Sequence, residues 1–425
     1  MKKFFEFETR GTNLRTEIMA GITTFLTMLY IVIVNPSMFA AGGMNFGGVY
    51  IATIIAVVTA TLIMGIAANY PIAIAPGLGI NAWMVYSVIL GGVPWQEALG
   101  AAAISSGLFI ILSVTKFREL FINSIPESLK LAMGAGIGLF VSFIGLRNGG
   151  VIISSETTAV TLGNFSEPTV YLTTIGLIAM MCLMILRVKG AVFLGMIFTA
   201  GVALILGHWE FPTEILSIPH GFDKTFFKLS FANVPALSSV IFVLLLVTLF
   251  DTTATMLGVG RQAGLIKDGK FPHLKSALLA DSVGSFVGAF AGTGPTSAFV
   301  ESGTGVSVGG RTGLASVVTA ELFLLLIFFE PLARSISSMS AISAPALILT
   351  GALMVEGVSG INWKDYTEAF PAFFTMLLMP LTYSIAYGVG LGMILYVILK
   401  SVNRQKVPPL LYVLAILFAI ELIFD

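Results

Sequence analysis

Charged residues and cysteine are scarce in this chain of 425 residues. Only 10% of the residues are Asp, Glu, Lys or Arg, whereas soluble domains carry about 25%. The 22 basic and 22 acidic residues balance, so the chain has no net charge with which to attract nucleic acid. The one cysteine, Cys182, excludes a disulfide framework within the chain. These deficits exclude an ordinary soluble domain, a nucleic-acid-binding protein and a small disulfide-rich fold.

Motifs of metal, nucleotide and hydrolytic chemistry are missing as well. The three histidines, His208, His220 and His273, fall in or beside predicted loops, and no HExxH or Cys/His spacing is present. No GxxxxGK[ST] motif occurs, so ATP is not expected to drive any process through this chain. We therefore expect no cofactor, no metal site and no catalytic residues.

Long apolar runs make up most of the chain instead. Hydrophobic residues account for 56% of the sequence, and runs of about 20 apolar residues are long enough to cross a bilayer as helices. The sequence predicts an all-α polytopic membrane protein of about 14 spans, with the bilayer as its solvent. The spans are predicted at 18–35, 49–69, 76–91, 98–114, 128–146, 169–187, 190–207, 236–258, 276–291, 295–309, 313–332, 342–358, 367–383 and 384–399. A further apolar segment, 408–424, is either a short span or an interfacial helix.

Basic residues between these spans predict the orientation. With the N-terminus inside, every basic cluster falls on one side of the membrane, as the positive-inside rule requires. We therefore expect a multi-pass protein of the inner (plasma) membrane with both termini in the cytoplasm. The clusters contain Lys2, Lys3, Arg10 and Arg15, then Lys116 and Arg118, then Arg187 and Lys189, then Arg261, Lys267, Lys270 and Lys275, and finally Lys400, Arg404 and Lys406.

Seven spans in each half predict an inverted repeat, because the second half then starts from the opposite side of the membrane. The repeats are residues 1–208 and 209–425. The third span of each half is short and interrupted by Gly and Pro, in YPIAIAPGLGINAW (70–83) and GTGPTSAFVESG (292–303). Such paired, interrupted segments are the best sequence indication of a transport site. Each predicts a short strand that leads into a half-helix near the middle of the membrane.

Few ionisable residues fall inside the predicted spans, and these are the functional candidates. A carboxylate at the bilayer centre costs about 2.5–3.5 kcal/mol on translocon scales and is functional by default. We expect Glu301, at the start of the tenth half-helix, and Asp251, inside the eighth span, to contact substrate or carry protons. Asp281 and Glu321 are expected to be structural. Asn81, in the first turn of the third half-helix, can pair with a heterocycle or cap the broken helix.

Several collinear motifs resemble the nucleobase:cation symporter-2 superfamily, and its AzgA-like purine permease branch in particular. The similarity covers nearly the whole chain. It implies a fold of 14 spans in a 7+7 inverted repeat, with a core domain from spans 1–4 and 8–11 and a gate domain from spans 5–7 and 12–14. The motifs are APGLGINAW (75–83), PWQEALGAAAISS (94–106), IPESLKLAMGAGIGLFVSFIGLRN (125–148), LFDTTATMLGV (249–259), LLADSVGSFVGAFAGT (278–293) and VESGTGVSVGGRTGLASVV (300–318).

The resemblance also implies a site between the third and tenth half-helices, with acids from the eighth and tenth spans. Glu301 and Asp251 would then couple transport to protons. This chain departs from the family pattern at Thr248, where many relatives carry an acid, and in GTGPTSAF, where relatives tend to be richer in threonine. Both departures leave the preferred purine open. The substrate-binding residues that this resemblance and the sequence context indicate are Asn81, Asp251, Glu301, Thr296, Ser297, Phe299 and Gly79.

The resulting hypothesis is a secondary active transporter that imports a purine nucleobase with a proton, by an elevator-like movement of core against gate. A purine is flat and neutral, and its edge of donors and acceptors suits carboxylates and amides between aromatic side chains. The family also suggests a homodimer. The alternatives are a carrier of the same fold for xanthine, uracil or an inorganic anion, a channel, and an intramembrane enzyme. An anion carrier favours a cation in the site, and an enzyme needs a nucleophile with its base; neither is evident in the spans.

Overall fold

Helices form at the positions where apolar runs predict spans. The computed structural model describes residues 2–115, 124–266 and 271–424. Within those ranges, ten helices are long and apolar enough to cross a membrane. Three shorter apolar helices occupy Leu78–Ile89, Ala191–Ile205 and Pro409–Ile420. Lys116, Arg118, Lys267 and Lys270, on which the predicted orientation partly depends, lie outside the described residues.

The first half of the chain contains eight helices and three strands among its described residues. Asn13 and Asn45 cap the first and third helices, because their side-chain oxygens accept backbone N–H groups that have no partner within the helix. The elements are α1 (Leu14–Met28), α2 (Ile31–Ala41), α3 (Phe46–Ile63), β1 (Ile74–Pro76), α4 (Leu78–Trp83), α5 (Trp95–Val114), α6 (Glu127–Asn148), β2 (Ile152–Ser155), β3 (Ala159–Leu162), α7 (Pro168–Ile185) and α8 (Ala191–Ile205).

The second half repeats the alternation of long helices with one interrupted span. Thr312, Asp365 and Ser384 cap its helices in the same way. The elements are α9 (Ser238–Gln262), α10 (Leu274–Ala291), β4 (Thr296–Ala298), α11 (Ser302–Ser307), α12 (Gly313–Leu325), α13 (Glu330–Ser337), α14 (Ser340–Met354), α15 (Tyr366–Thr382), α16 (Ile385–Val402) and α17 (Pro409–Phe424). Helix α17 has 16 residues, fewer than the roughly 17–25 of a typical span, so its interfacial alternative stays open.

The two interrupted spans meet as a pair of antiparallel strands. In β1 and β4, Ile74 faces Ala298 and Pro76 faces Thr296, and all six residues of the pair are buried. The backbone groups at the outer edges are also bonded: the Thr61 hydroxyl accepts from Ile74 N–H at 3.0 Å, and the Ser302 hydroxyl accepts from Ala73 N–H at 3.0 Å. The predicted arrangement of a short strand before each half-helix is confirmed.

A second strand pair was not predicted. Strands β2 and β3 form an antiparallel hairpin between α6 and α7, with Ile152 opposite Leu162. The residues of β3 are exposed. This stretch lies between the predicted spans 128–146 and 169–187, because it contains no long apolar run.

Helices of the two halves pack against each other throughout the molecule. Helix α12 lies against α1 and α3, α10 lies against α3 and α5, and α14 and α15 both lie against α6. The N-terminal segment joins this packing, since the Arg10 guanidinium donates to the carbonyl oxygens of Asn69 at 2.7 Å and Arg311 at 3.0 Å. The two repeats therefore share one core. The division into core and gate domains stays a prediction.

One close approach between the halves depends on glycine. A Cβ atom added to Gly313 would overlap the backbone carbonyl of Gly65, and the Gly313 N–H donates to the Asn69 side chain at 2.7 Å. We expect Gly313→Ala to destabilise the protein by about 1–3 kcal/mol, because backbone atoms cannot move aside as a flexible side chain can. Thermal unfolding of the detergent-solubilised protein measures this.

The matched control is Gly134→Ala. Gly134 lies inside α6, and a Cβ added there meets nothing within 4 Å, so alanine should be neutral or stabilise by up to about 1 kcal/mol through its helix propensity. Equal melting temperatures for the two variants would contradict the close packing of Gly65 on Gly313.

Candidate functional site

Glu301 lies immediately before α11, where its carboxyl group bonds to the first span. The side chain is partly buried, and the Tyr30 hydroxyl donates to its Oε1 atom at 2.6 Å. Glu301 occupies the N-cap position of α11, but its side chain makes no capping hydrogen bond. The carboxylate is thus held by a side chain from the other half of the protein, together with the backbone of Glu301 itself.

Asp251 lies in the middle of α9 beside strand β4. Its carboxyl group is partly buried and forms a hydrogen bond with the Ser297 side chain. It is close enough to interact electrostatically with both Glu301 and Asp281. Among the side chains that the sequence indicates, the structure therefore joins Asp251 to Ser297 and places Glu301 within electrostatic range of Asp251.

Asp281 is fully buried and bonded on both of its oxygens. The Thr252 hydroxyl donates to one oxygen at 2.6 Å, and the Thr296 hydroxyl donates to the other at 2.7 Å. Ser285 extends the network, because its hydroxyl accepts from the Thr296 N–H at 2.8 Å. Asp281 thereby joins α9, α10 and β4. The hydroxyl of Thr296, which the sequence indicates as a substrate ligand, is engaged with Asp281 in this arrangement.

Asn81 belongs to a second buried network, which involves Asn35, Thr53 and Thr293. Its amide nitrogen donates to Asn35 Oδ1 at 3.0 Å, and the Asn35 amide donates to Thr53 at 2.8 Å and Thr293 at 2.9 Å. The Asn81 side-chain oxygen lies against Gly294 and has no hydrogen-bond partner among the residues that the structure describes. Gly77 occupies the N-cap position of α4, so Asn81 does not cap the half-helix.

The remaining candidates are packed into helix contacts. Gly79 lies against Ile137 of α6, where a side chain would collide. Phe299 is buried, and so is Phe250, which has the Lys130 ammonium 5.9 Å from its ring centre. Buried aromatic side chains are ordinary in a core as well as in a site, so this placement does not separate the two roles.

Thr248, where the sequence departs from the family pattern, lies one turn before Asp251 on α9. Its hydroxyl is buried and has no hydrogen-bond partner in the described part of the chain. In the same part of the chain, no group of three or more His, Cys, Asp or Glu side chains is placed to hold a metal ion.

Sequence reasoning missed the neutral partners of these acids and amides. Tyr30, Thr252 and Thr53 gave no signal, because hydroxyl groups are common in transmembrane helices. Asn35 could have been found, since it is an amide inside a predicted span and precedes a proline. Glu17 was also missed: it is fully buried, and its carboxylate accepts the backbone N–H groups of residues 311 and 312 at 2.9 and 3.2 Å.

Comparison with known proteins gives close matches along the sequence. Residues 15–391 match the model of the Permease family, Xan_ur_permease. The chain is 47% identical to the guanine/hypoxanthine permease PbuO of Bacillus subtilis (strain 168), over 98% of this chain and 99% of that protein. It is 38% identical to the adenine permease AdeP of Escherichia coli (strain K12), over 100% of this chain and 96% of that protein.

Solved structures show the fold. The match to SLC26A9 has a TM-score of 0.67 at 11% identity, and it covers 92% of this chain and 66% of that chain, slightly under two thirds of its length. The match to the transmembrane domain of the cyanobacterial bicarbonate transporter BicA has a TM-score of 0.65 at 12% identity, over 89% of this chain and 97% of that chain. These transporters have a 7+7 inverted repeat, so the predicted fold class is confirmed.

Two threonines one turn apart on α9 allow a test of the Asp281 network. Thr252→Val should destabilise the protein by about 1–3 kcal/mol, because a buried carboxyl oxygen of Asp281 loses its donor. Thr248→Val should be neutral or stabilising, since the Thr248 hydroxyl has no hydrogen-bond partner among the described residues that its removal would leave unpaired. Thermal unfolding in detergent measures both. A Thr248→Val protein that melts below Thr252→Val would contradict this assignment of hydrogen bonds.

Proposed function

The chain belongs to the nucleobase:cation symporter-2 family of permeases, and on that premise we propose that it imports a purine nucleobase together with a proton. Three relatives that it matches over almost their whole length are guanine/hypoxanthine or adenine permeases by name. The observation that carries the proposal is that two carboxyl groups, Asp251 and Glu301, lie within electrostatic range of each other beside the strand pair of such a permease. Membership in a permease family also favours transport over catalysis.

The proposed substrate site lies between the two half-helices. Asp251 and Glu301 would accept N–H groups of the purine edge, and Ser297 would complete the polar side. The side-chain oxygen of Asn81, which has no hydrogen-bond partner among the described residues, is a further acceptor, and Phe299 offers an apolar face. Thr296 and Gly79 would act indirectly, Thr296 by holding β4 on Asp281 and Gly79 by letting α4 approach α6.

The proposed coupling follows from placing two carboxyl groups in one region of low dielectric. Neighbouring carboxylates repel each other, and a shared proton relieves the repulsion. A neutral purine that enters with one proton carries one net charge inward. A membrane potential of 100 mV would then contribute about 2.3 kcal/mol to accumulation.

We expect wild-type protein in proteoliposomes to accumulate purine only when a proton gradient or an inside-negative potential is imposed. Glu301→Gln keeps the shape of the side chain but cannot carry the proton, so it should lose uphill accumulation and retain exchange of bound base. Asp251→Asn should impair coupling or binding as well. The measurement is uptake of radiolabelled guanine, hypoxanthine and adenine, beside xanthine, uracil and sulfate.

Glu321→Gln serves as the matched control, because Glu321 is also a glutamate of a membrane helix but is exposed on α12. It should behave as wild type. Uptake by wild type that ignores both gradients would refute symport, and so would uphill accumulation by Glu301→Gln. Preferential uptake of sulfate or uracil would refute the purine assignment.

We further propose that both termini face the cytoplasm and that the protein forms a homodimer. The first proposal is supported by the distribution of the basic clusters. The second is supported only by the family.

The transport movement that we propose is a displacement of the core domain against the gate domain. In the structure, several contacts join the third span, in the proposed core, to helices of the proposed gate. The Asn148 amide donates to the Tyr86 hydroxyl at 2.7 Å, and the Ser87 hydroxyl bonds to the Tyr383 carbonyl. Gly79 packs on Ile137. An elevator movement would break all three contacts in each cycle.

A disulfide between positions 79 and 137 should therefore stop transport. A Cβ atom built on Gly79 lies 3.7 Å from the Cβ atom of Ile137, within the range of about 3.5–4.5 Å that disulfides need. Gly79→Cys with Ile137→Cys, in a Cys182→Ser background, should transport when reduced, lose transport on oxidation, and recover with a reducing agent.

The control is a pair inside the proposed gate, Gly357→Cys with Leu131→Cys; a Cβ atom built on Gly357 lies 4.0 Å from the Cβ atom of Leu131, within the same range. Oxidation of this pair should leave uptake unchanged. If the 79–137 disulfide forms fully and uptake continues, α4 does not move against α6 and the elevator proposal fails. Should the reduced 79–137 variant be inactive, cysteines at 86 and 148 joined by a short bifunctional thiol reagent provide the same comparison.

A further inference from the structure

Tyr30 occupies the break in the first span, between α1 and α2. Its side chain is fully buried, and its hydroxyl donates to Glu301 Oε1 at 2.6 Å. That length lies within the range of about 2.5–3.0 Å for well-formed O–H···O hydrogen bonds. A phenol ring has few rotatable bonds, so a donor placed at this break holds its acceptor in a defined direction.

The first span also fixes the backbone on which Glu301 sits. Helix α11 has only six residues, too few to be stable without packing. The Thr27 hydroxyl contacts the Thr304 hydroxyl at 3.1 Å, and a Cβ added to Gly305 would come within 2.7 Å of the Ala20 carbonyl oxygen. Tyr30 and the α11 backbone are therefore held by the same helix, and the distance between the phenol and the carboxylate cannot vary freely.

Among the residues that the structure describes, few other ionisable groups lie near Glu301. After α11, the Arg311 guanidinium donates to the Val306 and Gly310 carbonyl oxygens. From α9, Asp251 interacts with it electrostatically, while Arg261 lies on the exposed end of that helix. From α1, Glu17 is bound to the backbone N–H groups of residues 311 and 312, and Arg15 is exposed. Strands β1 and β4 contain no ionisable residue. Tyr30 is thus the donor that distinguishes the surroundings of Glu301 from those of Asp251.

We propose that Tyr30 is a positioning residue, which directs the Glu301 carboxylate and sets the pH at which Glu301 takes up a proton. A hydrogen bond to the ionised form of an acid favours that form. Removal of the donor makes the carboxylate easier to protonate, so proton uptake moves to higher pH. The consequence for transport rests on the proposed proton symport, whereas the effect on Glu301 itself does not.

The test is an infrared titration of purified protein, in which the carbonyl band of a protonated carboxyl group is followed against pH. Subtracting the spectra of Glu301→Gln assigns the band to Glu301. In Tyr30→Phe the band should reach half of its height about one to two pH units higher than in wild type, which corresponds to one lost hydrogen bond to a charged acceptor. The highest pH at which the protein still takes up purine should rise by the same amount.

Tyr50→Phe is the matched control, because Tyr50 is also fully buried but donates to the Leu326 carbonyl oxygen at 2.6 Å. It should leave the Glu301 band at its wild-type midpoint. If Tyr30→Phe does not fold, 3,5-difluorotyrosine at position 30 keeps the shape, strengthens the donor and should move the midpoint to lower pH.

An unchanged midpoint in the folded Tyr30 variants would overturn the proposal, even if transport is slower. A shifted midpoint in a protein whose uptake ignores pH would support the role of Tyr30 and refute proton symport. The two failures are therefore distinguishable, since the spectroscopic measurement needs no transport.

Discussion

The fold depends on satisfying the backbone hydrogen bonds of two helices that stop at membrane depth. In a bilayer no water is available for free N–H and C=O groups, so a broken helix needs partners from the protein. Here β1 from the first half and β4 from the second half supply partners for each other, and the Gly77 N–H adds a bond to the Pro295 carbonyl at 2.9 Å. Thr61 and Ser302 occupy the edges. Neither repeat can complete this pairing alone, which explains why helices of the two halves pack as one core.

The same strand pair determines the surroundings of two carboxyl groups, those of Asp281 and Asp251. Successive side chains of a strand point to opposite faces. In β4, Thr296 reaches Asp281 on one side, and the next residue, Ser297, reaches Asp251 on the other. Both oxygens of Asp281 thereby accept hydrogen bonds inside the protein, whereas Asp251 is partly exposed and within electrostatic range of Glu301. A short strand thus gives two acids on neighbouring helices different surroundings, and our functional proposals concern only the partly exposed one.

Much of the fold could be read from local properties of the sequence, and much of the site could not. Apolar runs predicted where the helices lie, and Gly and Pro inside 70–83 and 292–303 predicted the two interrupted spans. The hairpin Ile152–Ser155 with Ala159–Leu162 was missed, because its alternation is short and lies outside any apolar run. Among the site residues, Asp251 and Glu301 stood out because of the cost of a charge in the membrane. Their roles in binding and coupling remain proposals.

The sequence by itself determined that the protein lies in a membrane, where its spans are, and which few acids fall within them. These properties follow from the sequence because the free energy of transfer into a bilayer depends on each residue and its neighbours in the chain. Only the tertiary structure decided which hydroxyl or amide group forms a hydrogen bond with each of these carboxyl groups and with Asn81. Tyr30 and Glu301 are 271 positions apart, and Asn35 and Thr293 are 258 positions apart. Such contacts arise from the packing of one repeat on the other, and no local pattern of residues specifies them.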